Sequence, residues 1–441
     1  MKELSLSLKE DLKRISKDFL ENSKGKEVFL VSHFDADGIT SATIASKALK
    51  ALDIKFNLKI VKYLKEDFFD LIPKDKVILF LDLASGSLNY IKERNFKDVY
   101  IIDHHEISQE IPSNVKIINP WLHKKEKISS SGLTYLFFKE ILPEIDSSEK
   151  LAIIGMIGDL LDKEVDYILS DSASVKKIKG IMMYPATRPI NKVLEFCSNP
   201  YIPKVTGNPE GVKELLREAG LEPVNGKYKS IVELDENEMK KLVSAIILRN
   251  PKINKELVGD IFLVKFFNKL EDAREISAII NACSRLGYVS TAIKFCMEIQ
   301  EAKKEAEEIY AKYKKSLISA LEFLEKSEKI LGDKYLIINA KNKIPDTIIG
   351  TVATILSNSG EYEEGTLIIT LAHSEEKIKV SGRVVGKNGR NVRELLESVV
   401  KEIGGEVGGH ENAAGCIISK DKESDFLNKL IKYCELEIVR L

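Results

Sequence analysis

Asp103-His104-His105 sets a carboxylate and two imidazoles side by side, and acids stand at three other places where an apolar run ends. Asp35 and Asp37 lie in His33-Phe34-Asp35-Ala36-Asp37-Gly38, Asp82 follows Val77-Ile78-Leu79-Phe80-Leu81, and Asp159 follows Gly158. Imidazole nitrogens and carboxylate oxygens are the donors that divalent transition metals take. Asp at alternate positions lets two carboxylates enter one space from a single turn, whereas capping a helix needs one acid. Asp159, amid Leu151, Ile154, Ile157 and Leu161, is costly to bury unless paired or metal-bound, and near a helix end it could equally be exposed.

These acids need a frame that delivers them to one place. Lys26–Ser32, Ile54–Val61, Val77–Leu81 and Val99–Ile102 read as strands, with crossover helices over Gly38–Leu52 and Leu88–Arg94. That alternation predicts a doubly wound parallel α/β sheet, in which ligands collect at the carboxyl ends of the strands. Ser129-Ser130-Ser131-Gly132 opens a helix running through Glu140, where the serines read as caps. A second helix is predicted over Ser147–Leu161.

In this order the motifs resemble those of the DHH phosphoesterase superfamily, and within it the archaeal RecJ-like single-strand exonucleases. The resemblance implies two divalent ions roughly 3.5 to 4 Å apart, which activate water and neutralise charge on the phosphoryl oxygens. It implies Asp35, Asp37, Asp82, His104 and Asp159 as ligands, with Asp82 bridging. Asp103 would orient or co-ligate, and His105 would touch the scissile phosphate or protonate the leaving oxygen. Several branches place a His four residues before the first Asp; His33 lies two before Asp35, which leaves its ligand role open. Mixed carboxylate and imidazole ligation favours Mn2+, with Mg2+ able to serve.

The chain continues with a segment at 201–265, opened by Asn199-Pro200, that carries two short helices (Gly211–Ala219, Glu236–Leu248) and no recognisable chemistry. It reads as an inserted or bridging module. RecJ-like archaeal nucleases associate with a replication-complex (GINS-type) subunit, so the resemblance makes this segment a candidate docking surface. Residues 266–330 form a helical connector, with helices over Glu275–Leu286 and Ala292–Ile330. In the family such a connector joins two lobes that hold substrate between them. The catalytic domain is expected over 1–200 and a smaller mixed α/β domain over 331–441.

That last domain carries strands near 335–338, 366–371 and 377–381 and two further signals. Arg383 and the turn Gly386-Lys387-Asn388-Gly389-Arg390, opening a helix over Asn391–Ile403, suit phosphate oxygens. Gly408-Gly409-His410 with Ala413-Ala414-Gly415 resembles the signature of the DHH-associated C-terminal domain, where the glycines and the His bind terminal phosphates or nucleotides.

Composition sets the remaining bounds. Over 441 residues, 67 basic side chains against 68 acidic ones give a net charge of −1, so any polyanion must be held by a local patch. No apolar run reaches the roughly 20 residues of a membrane span, and the N-terminus reads as an amphipathic helix rather than a signal peptide, so a cytoplasmic protein is expected. Five scattered Cys imply neither a zinc site nor a disulfide framework. The reading is a metal-dependent single-strand exonuclease on DNA or RNA, in replication, repair or RNA processing. Its alternatives are a phosphodiesterase of short oligonucleotides or cyclic dinucleotides, and a replication-accessory scaffold.

Overall fold

The computed structural model describes residues 3–124, 126–169, 174–197, 200, 202–251 and 257–436. Lys125, Asn199 and Tyr201, which fall in the polar stretch and at the opening of the middle segment, lie outside them.

The chain opens with α1 (Leu6–Ser23), β1 (Val28–His33), α2 (Ala36–Ala51), β2 (Phe56–Val61), α3 (Glu66–Asp70), β3 (Val77–Leu81), α4 (Leu88–Arg94), β4 (Val99–Ile102), β5 (Val115–Ile118), α5 (Ser130–Lys139) and α6 (Glu149–Gly158). The five strands form one parallel sheet in the order β2-β1-β3-β4-β5. β3 and β4 are buried throughout, as continuous apolar runs in a doubly wound sheet require. β5, Val-Lys-Ile-Ile, was not among the expected strands. It is four residues long with a lysine in its middle, too short for alternation to mark.

Register matters more than strand count. Ser32 pairs with Leu81 and Leu81 with Ile102. The next residues, His33, Asp82 and Asp103, therefore stand at one level, His33 as the last residue of β1 and the two acids just beyond β3 and β4. The strand order turns back between β1 and β3, so this is the crevice where doubly wound sheets bind ligands.

Next come β6 (Val175–Ile181), α7 (Ile190–Phe196), α8 (Pro209–Glu218), α9 (Glu236–Arg249), β7 (Val258–Phe266), β8 (Lys269–Asp272), α10 (Ala273–Arg285), α11 (Val289–Cys296) and α12 (Gln300–Lys326). β6, β7 and β8 form a three-stranded sheet that apolar patterning did not announce. The single helix expected over 292–330 is broken at Glu298, whose φ is +56°. Its carboxylate accepts the Phe267 N–H at 2.7 Å and pairs with Lys150. α6 is shorter than predicted because the chain turns at Leu160, φ +60°.

The remainder is β9 (Ile330–Gly332), β10 (Tyr335–Asn339), α13 (Asp346–Ser357), β11 (Leu367–Ser374), β12 (Lys377–Val384), α14 (Val392–Ile403), β13 (Glu406–His410), β14 (Ala413–Ser419) and α15 (Glu423–Glu435). Its mixed six-stranded sheet runs β13-β14-β12-β11-β10-β9 over its own core, which includes Ile337, Ile369, Val380, Leu396 and Phe426.

The chain divides into two compact units, residues 1–179 with 260–310 and residues 180–259 with 311–441. All five cysteines are buried, and none forms a disulfide. Among the described residues no helix is long and apolar enough to cross a membrane.

Candidate metal centre

The first acid-bearing turn is built by α2. Asp35 is its N-cap, with Oδ1 accepting the Gly38 N–H at 3.0 Å, while Oδ2 lies 3.0 Å from His33 Nδ1. Gly38 is required here, because a Cβ would stand 2.3 Å from the His33 carbonyl oxygen. Asp37, in the first turn of α2, is fully buried. Its carboxylate accepts Ser129 Oγ–H at 2.6 Å, the Ser130 N–H at 2.8 Å and the Ser131 N–H at 3.0 Å. These donors are the N-terminus of α5, where unsatisfied amides and the helix dipole favour an anion. Ser130 Oγ also donates to Asp82 Oδ1 at 3.0 Å.

Asp82, 1 % exposed, sits at the exit of β3 with φ +60°, a left-handed conformation that Asp tolerates better than most residues. Its Oδ2 is 3.3 Å from His33 Nδ1, and its Oδ1 is 3.4 Å from His104 Nε2. That same His104 nitrogen lies 3.2 Å from Oδ2 of Asp159, the residue that ends α6. Asp103 is fully buried and turned away from this cluster of contacts. Its oxygens accept the N–H groups of Ser85, His104 and His105, and Oδ1 is 2.7 Å from His105 Nδ1.

Burial and the Asp82 and Asp159 charges push the Asp37 carboxyl well above the usual range. Burial also opposes charge on Asp82, but His104 and His33 overcome it and hold that carboxyl well below. On His33, burial is outweighed by Asp35 and Asp82, and on His104 by Asp159 and Asp82, so both imidazoles are raised well above their ordinary value. Protonated imidazoles thus act as the counter-cations of a cluster with an excess of acid.

The donor set fits divalent metal ions. Ligand atoms of His33, Asp35 and Asp82 lie within 4.8 Å of one another, as do those of Asp37, His104 and Asp159, and those of Asp82, His104 and His105. His33 Nδ1 and Asp82 Oδ2 are buried with no partner in hydrogen-bond geometry, held only by the charge contact between them and, for His33, that with Asp35, which leaves both atoms able to turn to a ligand. His33, whose spacing departs from the family pattern, therefore sits within the cluster.

Sequence reasoning read Ser129, Ser130 and Ser131 only as caps; they hold two of the acids. It also passed over Asn119, whose Nδ2 donates to Ser85 Oγ and to the His105 carbonyl, both at 2.9 Å. Trp121 Nε1 donates to the His104 carbonyl at 3.1 Å. A run of three serines where one suffices for a cap was the available signal for the first group. Asn119 and Trp121 left none.

In the six-stranded unit, Arg383 on β12 donates from Nε to Thr354 Oγ1 at 2.9 Å and from Nη1 to the Gly382 carbonyl at 2.7 Å. Lys387 is exposed in its turn. Arg390 is engaged differently, donating to the carbonyls of Tyr433, at 2.6 Å, and Leu436 at the C-terminus of α15. Gly408, Gly409 and His410 lie on β13, the sheet's edge strand. Gly409 has φ +119°, and a Cβ there would come 2.5 Å from the Ala413 carbonyl oxygen; a Cβ on Gly408 would meet nothing within 4 Å.

A parallel sheet with acids and imidazoles at its reversal point, followed by a mixed-sheet unit with a glycine-rich edge, defines a class of protein that the comparisons specify. The model of the DHH family, N-terminal domain, matches residues 27–161, that of the DHH-CID domain residues 184–256, and that of the DHHA1 domain residues 332–436. The chain is 30% identical over 423 residues to "Uncharacterized protein MJ0831" of Methanocaldococcus jannaschii, covering 91% of each. It is 23% identical over 431 residues to "Single-stranded-DNA-specific exonuclease RecJ" of Bacillus subtilis, covering 92% of this chain and 45% of that one. Among solved structures, RecJ from Thermus thermophilus in complex with Mn2+ matches with TM-score 0.60 at 18% identity, over 97% of this chain and 55% of that one. CDC45 from Entamoeba histolytica matches with TM-score 0.70 at 12% identity, over 96% and 99%. The chain belongs to the DHH superfamily as a RecJ-like member, and spans about half the length of the Bacillus subtilis and Thermus thermophilus RecJ chains named above.

Proposed function

We propose that this protein is a divalent-metal-dependent phosphodiester hydrolase that degrades single-stranded nucleic acid from an end. The observation that carries this reading is the position of Asp82, whose oxygens belong both to the group with His33 and Asp35 and to the group with His104 and His105. His33, Asp35 and Asp82 would hold one ion, and Asp37, Asp82, His104 and Asp159 the other, with Asp82 shared. Bound divalent cations supply an acidified water and neutralise charge at the phosphoryl oxygens.

The side chains divide the remaining work. The amides and hydroxyl at the start of α5 fix Asp37, and Ser130 fixes Asp82. Asp103 accepts from His105 Nδ1, which sets the imidazole's orientation and makes Nε2 the atom that meets substrate. Burial lowers the His105 value, but Asp103 lifts it to about 9, so the ring carries its proton at neutral pH and can pass it to the leaving oxygen. Arg383, Lys387 and His410 would grip phosphates, with the backbone at Gly408 open to close approach. Arg390 donates to the carbonyls that end α15, and we propose that it acts there rather than on phosphate.

The similarity to the single-stranded-DNA-specific exonuclease supports a polynucleotide substrate. The segment at 201–265 is proposed as a docking surface for a replication-complex subunit, and Mn2+ as the favoured ion with Mg2+ as substitute. To test substrate class, the protein is incubated with Mn2+ and single strands of DNA and RNA labelled at either end, alongside cyclic dinucleotides. Mononucleotides released from one end of a strand are expected. Hydrolysis confined to dinucleotides would transfer the assignment to a small-substrate phosphodiesterase.

A further inference from the structure

Asn281 lies on α10, 245 positions from Ala36 in sequence, yet its Oδ1 accepts the Ala36 backbone N–H at 3.0 Å. Ala36 stands between Asp35 and Asp37 at the start of α2, where the first amides of a helix have no partner within it. This one bond therefore pins the peptide that joins Asp35 to Ala36, directly after one carboxylate and one residue before the other. One turn earlier on the same face of α10, Ser277 meets the other acid-bearing turn. A Cβ on Gly158, the residue before Asp159, would stand 2.8 Å from Ser277 Oγ and 3.0 Å from the Ala36 Cβ. α10, which lies outside the matched residues 27–161, thus touches the turns that carry Asp35, Asp37 and Asp159.

Building on the proposed metal centre, we infer that Asn281 is a positioning residue for it: by holding the Ala36 N–H, its side chain fixes the turn that presents Asp35 to one ion site and Asp37 to the other. Groups that orient ligands matter because a ligand that must be ordered at the moment of binding gives up affinity. Removing such a partner typically costs on the order of ten- to a hundred-fold in metal affinity.

The test is calorimetric titration of the full chain with Mn2+, with circular dichroism and urea unfolding of the ion-free protein run beside it. Asn281→Ala and Asn281→Leu are expected to keep the fold and to weaken Mn2+ binding on the order of ten- to a hundred-fold. Asn281→Asp, whose carboxylate accepts the same N–H, is expected to retain wild-type affinity. Should Asn281→Ala not fold, Asn281→Gln, whose longer side chain displaces the acceptor, is titrated in its place with the same expectation. Folded Ala or Leu variants that bind as tightly as wild type would overturn the inference, as would an Asp variant as weak as Ala. Wild-type protein that binds no Mn2+ would instead contradict the centre itself.

Discussion

Asp103 Oδ1 lies 2.7 Å from His105 Nδ1, joining a fully buried carboxylate to an imidazole that is 41 % exposed. Burial would raise the Asp103 carboxyl, yet His105 holds it down at about 2. Burial would lower the imidazole, yet Asp103 lifts it to about 9. The pair thus stays charged across the neutral range, buried at one end and wet at the other.

The sign of its pH dependence follows. The His105 value rises on folding from about 6.5, so its contribution is complete below that pH and is lost as pH climbs through about 9. The Asp103 value falls on folding from about 3.9, so its contribution is present above that pH and is lost as pH drops toward about 2. The stability difference between ion-free wild type and Asp103→Asn should therefore be greatest from about pH 4 to 6.5 and shrink on either side. Urea unfolding in chelator from acid to alkaline pH measures it, and a difference independent of pH contradicts the pairing.

Gly155 on α6 faces Ser131 and Thr40, and a Cβ there would come 2.2 Å from one hydroxyl and 2.4 Å from the other. Those hydroxyls are already spent, Ser131 Oγ on the Ala152 carbonyl and Thr40 Oγ1 on the Ala36 carbonyl. Gly155→Ala should accordingly destabilise by about 1–3 kcal/mol despite the better helix propensity of Ala. Chemical denaturation reads this, and a stabilised variant would mean that α2, α5 and α6 pack more loosely than described.

Two of the glycine positions on the β13–β14 hairpin, Gly408 and Gly415, should separate fold from function. A Cβ on Gly415 would stand 2.7 Å from the Val380 carbonyl oxygen, so Gly415→Ala should lower the melting temperature. Gly408 has open space, so Gly408→Ala should melt like wild type and bind single strands more weakly, because the lost asset is backbone access. Fluorescence anisotropy with a labelled oligonucleotide tells them apart; unchanged binding by Gly408→Ala would remove this strand from the proposed interface.

Arg383 and Arg390 make a second contrast. Arg390→Ala frees the carbonyls of Tyr433 and Leu436 and should cost about 1–3 kcal/mol of stability with little change in KM. Arg383→Ala should chiefly raise KM for a strand. Steady-state kinetics and thermal melts on both variants decide, and the reverse pattern would exchange their roles.

Asp82 and Asp103 were legible because each stands immediately after a run of buried apolar residues, Asp35 and Asp37 because two acids alternate in one turn, and the strand register that levels His33, Asp82 and Asp103 follows from runs ending together. β5 escaped notice because four residues interrupted by Lys116 carry too little pattern. Ser129 to Ser131 stand where a cap stands, but none of their hydroxyls caps α5; the side chain of Asp37 takes its free amides instead, which is a long-range fact. The same holds for Asn281, whose partner no local rule could name. Arg390 reads as a phosphate ligand by type and turn, and nothing in that turn announces its hydrogen bonds to the carbonyls at the end of α15.

The central claim is that the acids meeting at Asp82 form a hydrolytic metal centre, and its most direct measurement is strand hydrolysis by wild type and Asp82→Asn, with Mn2+ and with chelator. Asp82→Asn keeps the volume and the Ser130 contact while removing the shared charge. The account predicts Mn2+-dependent release of mononucleotides by wild type, abolished by chelator and by the substitution. Hydrolysis that survives in Asp82→Asn, or in chelator, would contradict it.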